Sequence, residues 1–404
     1  MRDQVEDEKM EEPGKRKISV YIHVPFCFSK CSYCNFYSLS GREKDFDSYL
    51  DALEVEWLSM HEDENLTGDD IVVSSIFVGG GTPSLLGGQR LDRLLSIVRT
   101  GPNWAEDIEV TIEVNPESID DDCAKSIIDS GYNRISIGIQ SFKDCDLVNL
   151  GRQASRKQVY AALKSVKRAG FTNISIDMIY GLSGQTLEAW IEVLDEALAT
   201  DINHISCYLL TPEEDTVLYR LLRGGEITTP LEETLYNQYD ATRKIIIEAG
   251  YEHYEISNFA KPGFRCRHNE GTWQRQPYYG LGPSAHSFNG EVRWYNSSDL
   301  DAYLAQLLGE NKRPDRERYR LDSNDVAKEL IMVCMRRAEG VLWTQIEQVV
   351  TNSVMQQVKQ RARFLSGTGF LHLDKYGMRL NPNAYFVSNS VFVELMRALE
   401  EDKS

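Results

Sequence analysis

Six short apolar runs rich in isoleucine and valine recur at 18–24, 71–78, 108–114, 135–140, 174–179 and 205–210. The five gaps between them hold stretches of helical periodicity at 46–60, 91–98, 118–130, 155–169 and 186–199. Several of these stretches run into a glycine, the residue that tolerates the left-handed conformation ending many helices. A strand that is always followed by a helix and then by another strand predicts parallel pairing with right-handed crossovers. Order alone fits both an open doubly wound sheet and a barrel.

Side-chain alternation separates the two. On one face of the runs stand Ile108, Val110, Ile112 and Val114, then Ile135, Ile137 and Ile139, then Ile174 and Ile176, aliphatic positions suited to covering helices. The other face carries Ser19, Tyr21, His23, Thr111, Glu113, Ser136, Gly138, Gln140, Ser175, Asp177, Ser206 and Tyr208. A filled barrel core is built from branched apolar side chains. A polar, small-residue interior predicts a ligand cavity instead, because a parallel sheet wet on one face is rare. The expected fold is α/β: a partial parallel (β/α)6 barrel.

The 404 residues exceed what such a barrel needs, so a second unit is expected. Residues 1–17 read as an acidic, disordered leader, 18–250 as the barrel, and 251–320 as a loop-rich connection over the site, after a long helix near 231–249. From 321 to 404 a helix, a second helical stretch and a ribbon turning at 375–377 give a winged-helix-like α+β order. The 62 acidic against 44 basic residues leave a formal charge of −18, which disfavours nucleic acid and anionic lipid as partners. The chain shows neither a signal-like apolar stretch at its start nor a run of 18 apolar residues, so a cytoplasmic protein is expected. Its eight cysteines are then mostly reduced.

Three of them are crowded together directly after the first strand, in Cys27-Phe28-Ser29-Lys30-Cys31-Ser32-Tyr33-Cys34. Three thiolates at this spacing can take three corners of a cubane 4Fe-4S cluster, and with no fourth cysteine nearby one iron stays open. An open iron can chelate the methionine part of S-adenosylmethionine (SAM), whose sulfonium the cluster's electron would then cleave to a 5'-deoxyadenosyl radical. A zinc site completed by His23 or His268 is the competing reading, although zinc cysteines more often come as paired knuckles. A disulfide would leave an odd thiol in a reducing compartment.

The stretch from Tyr21-Ile22-His23-Val24-Pro25-Phe26-Cys27 through Phe36 resembles the radical SAM signature of the oxygen-independent coproporphyrinogen III oxidase family, which includes the HemW haem-chaperone branch. The likeness continues in Gly79-Gly80-Gly81-Thr82-Pro83-Ser84, Glu113-Val114-Asn115-Pro116, Gly138-Ile139-Gln140-Ser141-Phe142, Leu150-Gly151-Arg152 and Asp177-Met178-Ile179-Tyr180-Gly181-Leu182. The resemblance implies a cluster on Cys27, Cys31 and Cys34. It further implies SAM contacts from Tyr21, Tyr33, Gly80, Gly81, Thr82, Glu113, Gln140, Arg152 and Asp177, with the glycines at the SAM amino group and Arg152 at its carboxylate. As isolated residues, Glu113 and Arg152 would read as ordinary surface or ion-paired groups.

Within the family the chain is more similar to the chaperone branch. Phe36 stands where the oxidases have a further cysteine, and the segment before the first strand is short. His268-Asn269-Glu270-Gly271-Thr272-Trp273 resembles the branch's His-Asn-x-x-Tyr-Trp motif, with Thr272 replacing the tyrosine, and Ser183 stands where a proline is usual. This implies a chaperone that binds haem or porphyrin, with His268 as axial ligand and Cys266 or His286 as alternatives, and delivers haem to acceptor proteins. His268 and Asn269 could equally serve only to order their loop. An electron donor would be needed for radical chemistry, and a cluster-dependent dimer is a further possibility. No residue is assigned a catalytic role. The alternative is a coproporphyrinogen III dehydrogenase that oxidatively decarboxylates its substrate with the same radical.

Overall fold

A computed structural model describes residues 15–309 and 313–400. The expected leader lies outside these residues up to position 14, and its last part is already sheet: β1 spans Arg16–Val24. Alternation then proceeds through α1 (Phe46–Asp63), β2 (Ile71–Gly80), α2 (Gly88–Arg99), β3 (Asn103–Val114), α3 (Asp121–Asp129) and β4 (Arg134–Gln140). It continues with α4 (Asp144–Asn149), α5 (Arg156–Ala169), β5 (Ile174–Tyr180), α6 (Leu187–Ala199), β6 (His204–Leu209), α7 (Val217–Arg223) and α8 (Glu232–Glu248). Helix starts are fixed locally. Ser155 and Thr186 each cap the helix that follows by accepting a backbone N–H three residues on, and Gly170 ends α5 at φ +105°.

Strands β1 to β6 pair in chain order and all in parallel. Because the order never reverses, the helices all cover one face and the sheet curls the other face inward. Val110, Ile112, Val114, Ile135, Ile137, Ile139, Ile174 and Ile176 are buried under those helices. The first and sixth strands do not meet, so the barrel is partial.

The 251–320 stretch differs from the loop-rich connection that its glycines and aromatics suggest. It contains β7 (Glu252–His253), β8 (Asn258–Ala260), α9 (Arg267–Trp273), β9 (Tyr278–Leu281), β10 (His286–Phe288), β11 (Val292–Asn296), α10 (Leu300–Leu308) and β12 (Arg316–Arg320). β9 adds to β1 in parallel and β8 to β6 antiparallel, extending the sheet to twelve strands. Glu56 on α1, fully buried, anchors this extension: it accepts hydrogen bonds from Gly282 N–H (2.8 Å), Asn296 Nδ2 (2.7 Å) and Tyr303 Oη (2.6 Å), and faces Arg316 Nη2 at 3.1 Å.

The C-terminal part runs α11 (Ser323–Met332), β13 (Val341–Leu342), α12 (Trp343–Glu347), α13 (Asn352–Gly367), β14 (Leu371–Leu373), β15 (Gly377–Leu380) and α14 (Ser388–Arg397), with its three strands ordered β13-β15-β14. This is the winged-helix order. The second helical stretch expected in this part is two helices, α12 and α13, because Thr351 caps a new start through the Val354 N–H. No helix among the described residues is long and apolar enough to cross a membrane.

Candidate functional site

The cysteine loop is held at the carboxyl end of the barrel strands by the motifs that followed it in sequence. Leu39 O accepts the Cys27 N–H at 2.9 Å, and Phe26 O accepts that of Thr82 at 2.7 Å. Thr82 Oγ1 donates to Cys27 Sγ at 3.6 Å and receives Asn115 Nδ2 at 2.9 Å. Arg152 completes the chain, donating from Nη2 to Asn115 Oδ1 (3.0 Å) and Gly138 O (2.7 Å) and from Nη1 to Cys31 Sγ (3.5 Å). Ser32, between the cysteines, donates its hydroxyl to Leu150 O at 2.8 Å. Two thiols therefore face donors suited to thiolates, while burial pushes the Cys34 thiol up.

All three cysteines are free and partly buried. Among the described residues no three His, Cys, Asp or Glu side chains converge as a single-ion site requires. A cubane cluster asks for less convergence, since each thiolate takes a different iron. The donor set fits a cluster better than zinc.

The glycines act by leaving room. Gly80 sits at φ +101°, and a Cβ there would come within 2.6 Å of the His23 ring. At Gly81 it would meet Phe26 O at 2.5 Å. Their amides are committed within the protein, Gly80 to Glu113 Oε2 at 3.1 Å and Gly81 to Val24 O at 2.8 Å. A ligand approaching this turn would meet carbonyls. Arg152 likewise spends both terminal nitrogens on protein acceptors, leaving its buried Nε without a partner.

Behind the cysteine loop opens a cavity of about 730 Å³. Tyr21, Phe77, Glu113 and Tyr208 line it from β1, β2, β3 and β6, and His268 enters from α9. Asn35 to Tyr37, just past Cys34, form part of its wall. Tyr21 Oη lies 3.1 Å from His23 Nδ1, and His23 Nε2 lies 2.8 Å from Tyr37 O. Tyr33 sits apart from this cavity, against the small apolar group of Leu150, Ile179 and Leu182. Gln140 adopts φ +64° at a register shift between β4 and β5, a strained conformation of the kind found at binding sites.

Glu113 and Asp177 form an acidic pair, each partly buried on the inward face of the barrel. Burial, then repulsion from Asp177, pushes the Glu113 carboxyl from its ordinary 4.5 up to about 8, and burial raises Asp177 as well despite a 3.0 Å hydrogen bond from Ser136. Raised carboxyl values favour the protonated folded state below the ordinary carboxylate range and lose that contribution as pH rises through about 8. The ligand-free protein should therefore lose thermal stability between about pH 5 and pH 9, with a flatter profile in Glu113→Gln; equal slopes in melting scans would contradict this.

His268 is buried on α9, with Nδ1 3.2 Å from Ser75 Oγ and its backbone N–H on Glu109 Oε1 at 3.2 Å. Burial, then the charge of Arg134, pushes its imidazole down to about 3, so it stays neutral. Thr272, in the family's tyrosine position, bonds back to His268 O at 3.0 Å and also lines the cavity. Of the alternatives, His286 lines the cavity, but Cys266 does not: its thiol is buried against Glu109 and pushed up to about 12. Sequence reasoning missed Glu109, Arg134 and Ser75. Glu109 and Arg134 share the inward parity of Thr111 and Ser136, already singled out, so there the alternation itself was the signal; for Ser75 the signal was its parity with Phe77, on a strand whose inward face the sequence reading left unassigned.

Residues 21–197 match the Radical SAM superfamily. The heme chaperone HemW of Lactococcus lactis is 32% identical, over 94% of this chain and 97% of the relative. That of Bacillus subtilis is 31% identical, over 93% and 98%. Among solved structures, coproporphyrinogen III oxidase (HemN) of Escherichia coli superposes with a TM-score of 0.79 at 22% identity, covering 95% of this chain and 90% of that one. It shares the fold.

Proposed function

We infer the function from one premise: the chain belongs to the radical SAM superfamily and, within it, to the heme chaperone HemW family. We propose that it holds a 4Fe-4S cluster on Cys27, Cys31 and Cys34, binds SAM beside it, and carries haem on His268 for delivery to acceptor proteins in the cytoplasm. The observation that carries this reading is the single cavity in which His268 faces the same space as Tyr21 and Glu113, against the cysteine loop.

Each residue has a stated task. When bound, the cluster would supply an open iron for the methionine end of SAM and, given an electron donor, the means to cleave it. Arg152, Asn115 and Thr82 keep two thiols in place and offset their charge. Glu113, Gln140 and Asp177 provide polar contacts for the rest of SAM, helped by Tyr21 and the carbonyls of Gly80 and Gly81, while Tyr33, packed against Leu150, Ile179 and Leu182, lies outside this contact set. His268, neutral at physiological pH, offers a lone pair to haem iron as cargo. Phe36 supplies no thiol at the oxidase position, which favours transport over decarboxylation.

A cavity of this size suits one cofactor-sized ligand. Haem and SAM should therefore hinder each other, and by linkage the hindrance is reciprocal. In cluster-reconstituted protein under anaerobic conditions, saturating SAM is expected to weaken haem binding by about fivefold or more, read by absorbance titration. An unchanged midpoint, with both ligands bound, would separate the two sites.

A further inference from the structure

The barrel floor beneath His268 contains hydroxyls where a packed core would have aliphatic groups. Ser19 and Ser75 are register partners on β1 and β2, both buried, and Ser75 Oγ donates to Ser19 Oγ at 2.8 Å. The same Ser75 oxygen lies 3.2 Å from His268 Nδ1. A serine has one hydroxyl hydrogen. With that hydrogen committed to Ser19, Ser75 can only accept from the imidazole, so Nδ1 carries the proton and Nε2 keeps the lone pair.

The ring's direction is fixed by its other neighbours. Phe77 lies 5.2 Å from the His268 ring centroid and Tyr21 6.3 Å, both at tilted angles. Glu109, itself buried, receives the backbone N–H groups of Arg267 and His268, each at 3.2 Å, and so pins the start of α9. With Nδ1 turned to Ser75, Nε2 is the nitrogen left to the cavity.

We propose that Ser75, oriented by Ser19, is a positioning residue that selects the Nδ1–H tautomer of His268 and aims Nε2 at haem iron. The proposal rests on His268 being the haem ligand. Histidine ligands elsewhere commonly donate their second ring N–H to a fixed acceptor, and loss of that acceptor typically weakens metal binding by about 10- to 100-fold.

The test compares wild type, Ser75→Ala, Ser75→Thr and His268→Ala by haem titration, by resonance Raman of the ferrous complexes, and by 15N-histidine NMR of the haem-free proteins. Ser75→Ala should bind haem about 10-fold or more weakly, shift the iron–histidine stretch to lower frequency and mix the His268 tautomers. Ser75→Thr, which keeps the hydroxyl, should restore all three. His268→Ala should lose the stretch entirely. Wild-type behaviour of Ser75→Ala beside loss of the band in His268→Ala would overturn the role of Ser75 and leave the ligand standing. Retention of the band in His268→Ala would overturn both.

Discussion

Cys31→Ala is expected to abolish the cluster: iron and sulfide per chain should fall to near zero after anaerobic reconstitution, with loss of the visible absorbance. In the proposed site three thiolates would be the whole protein ligand set, so removal of one would expose a second iron corner and weaken the hold of the remaining two. The effect at Cys31 has a further source. Its sulfur accepts from Arg152 Nη1 at 3.5 Å, and Arg152 has almost no exposed side-chain surface. Without the thiolate the guanidinium keeps its bonds to Asn115 and Gly138 but loses a buried anionic partner. Cys145→Ala is the control. That thiol is exposed on α4, so iron content should stay at the wild-type value. A cluster retained in Cys31→Ala, or lost in Cys145→Ala, would contradict the assignment.

Glu56→Ala is expected to cost about 3–5 kcal/mol of folding stability in chemical denaturation, the range for breaking a buried charged network. The carboxylate accepts three hydrogen bonds and faces Arg316, which is itself buried. Its partners come from the turn after β9, from β11, from α10 and from β12, whereas Glu56 belongs to α1. One side chain thus ties the extension of the sheet to the barrel. Alanine would leave the Gly282 and Tyr303 donors without the carboxylate they share and take the nearest anion from Arg316, which keeps Asn296 and Asp63, a greater cost than the loss of the bonds alone. Glu56→Gln should lie between alanine and wild type, because it keeps the volume and an acceptor but not the charge. A loss below about 1 kcal/mol for alanine would show that water replaces the carboxylate.

The six barrel strands and their helices were legible because their periods are regular over six or more residues, and the polar inward face marked the cavity. The strands between 251 and 320 were not. Runs of two to five residues such as β7, β8 and β10 are too short for a period to register, and the two that join this stretch to the barrel, β8 and β9, pair with β6 and β1, more than fifty residues away in sequence. α9 read as a loop for a related reason. It has seven residues including Gly271, and the carboxylate that pins its start, Glu109, lies 158 positions earlier than Arg267.

At the site, the spacing of the cysteines singled out their loop, because that pattern is local. What holds the loop was not local. Thr82 and Arg152 resembled ligand contacts by motif, yet the structure joins them, through Asn115, into a chain running from Cys27 to Cys31. Cys266, a candidate by its proximity to His268, points away from the cavity because Glu109 and the start of α9 enclose it. Adjacent residues at a helix start project in different directions, so sequence distance was a poor guide there.

The most direct measurement is a haem titration of the cluster-reconstituted protein under anaerobic conditions, run beside coproporphyrinogen III turnover with SAM and a reductant. Stoichiometric haem binding that His268→Ala weakens, with no protoporphyrinogen formed, is the predicted result. Decarboxylation of coproporphyrinogen III with matching release of 5'-deoxyadenosine would contradict it and make the cavity that of an oxidase.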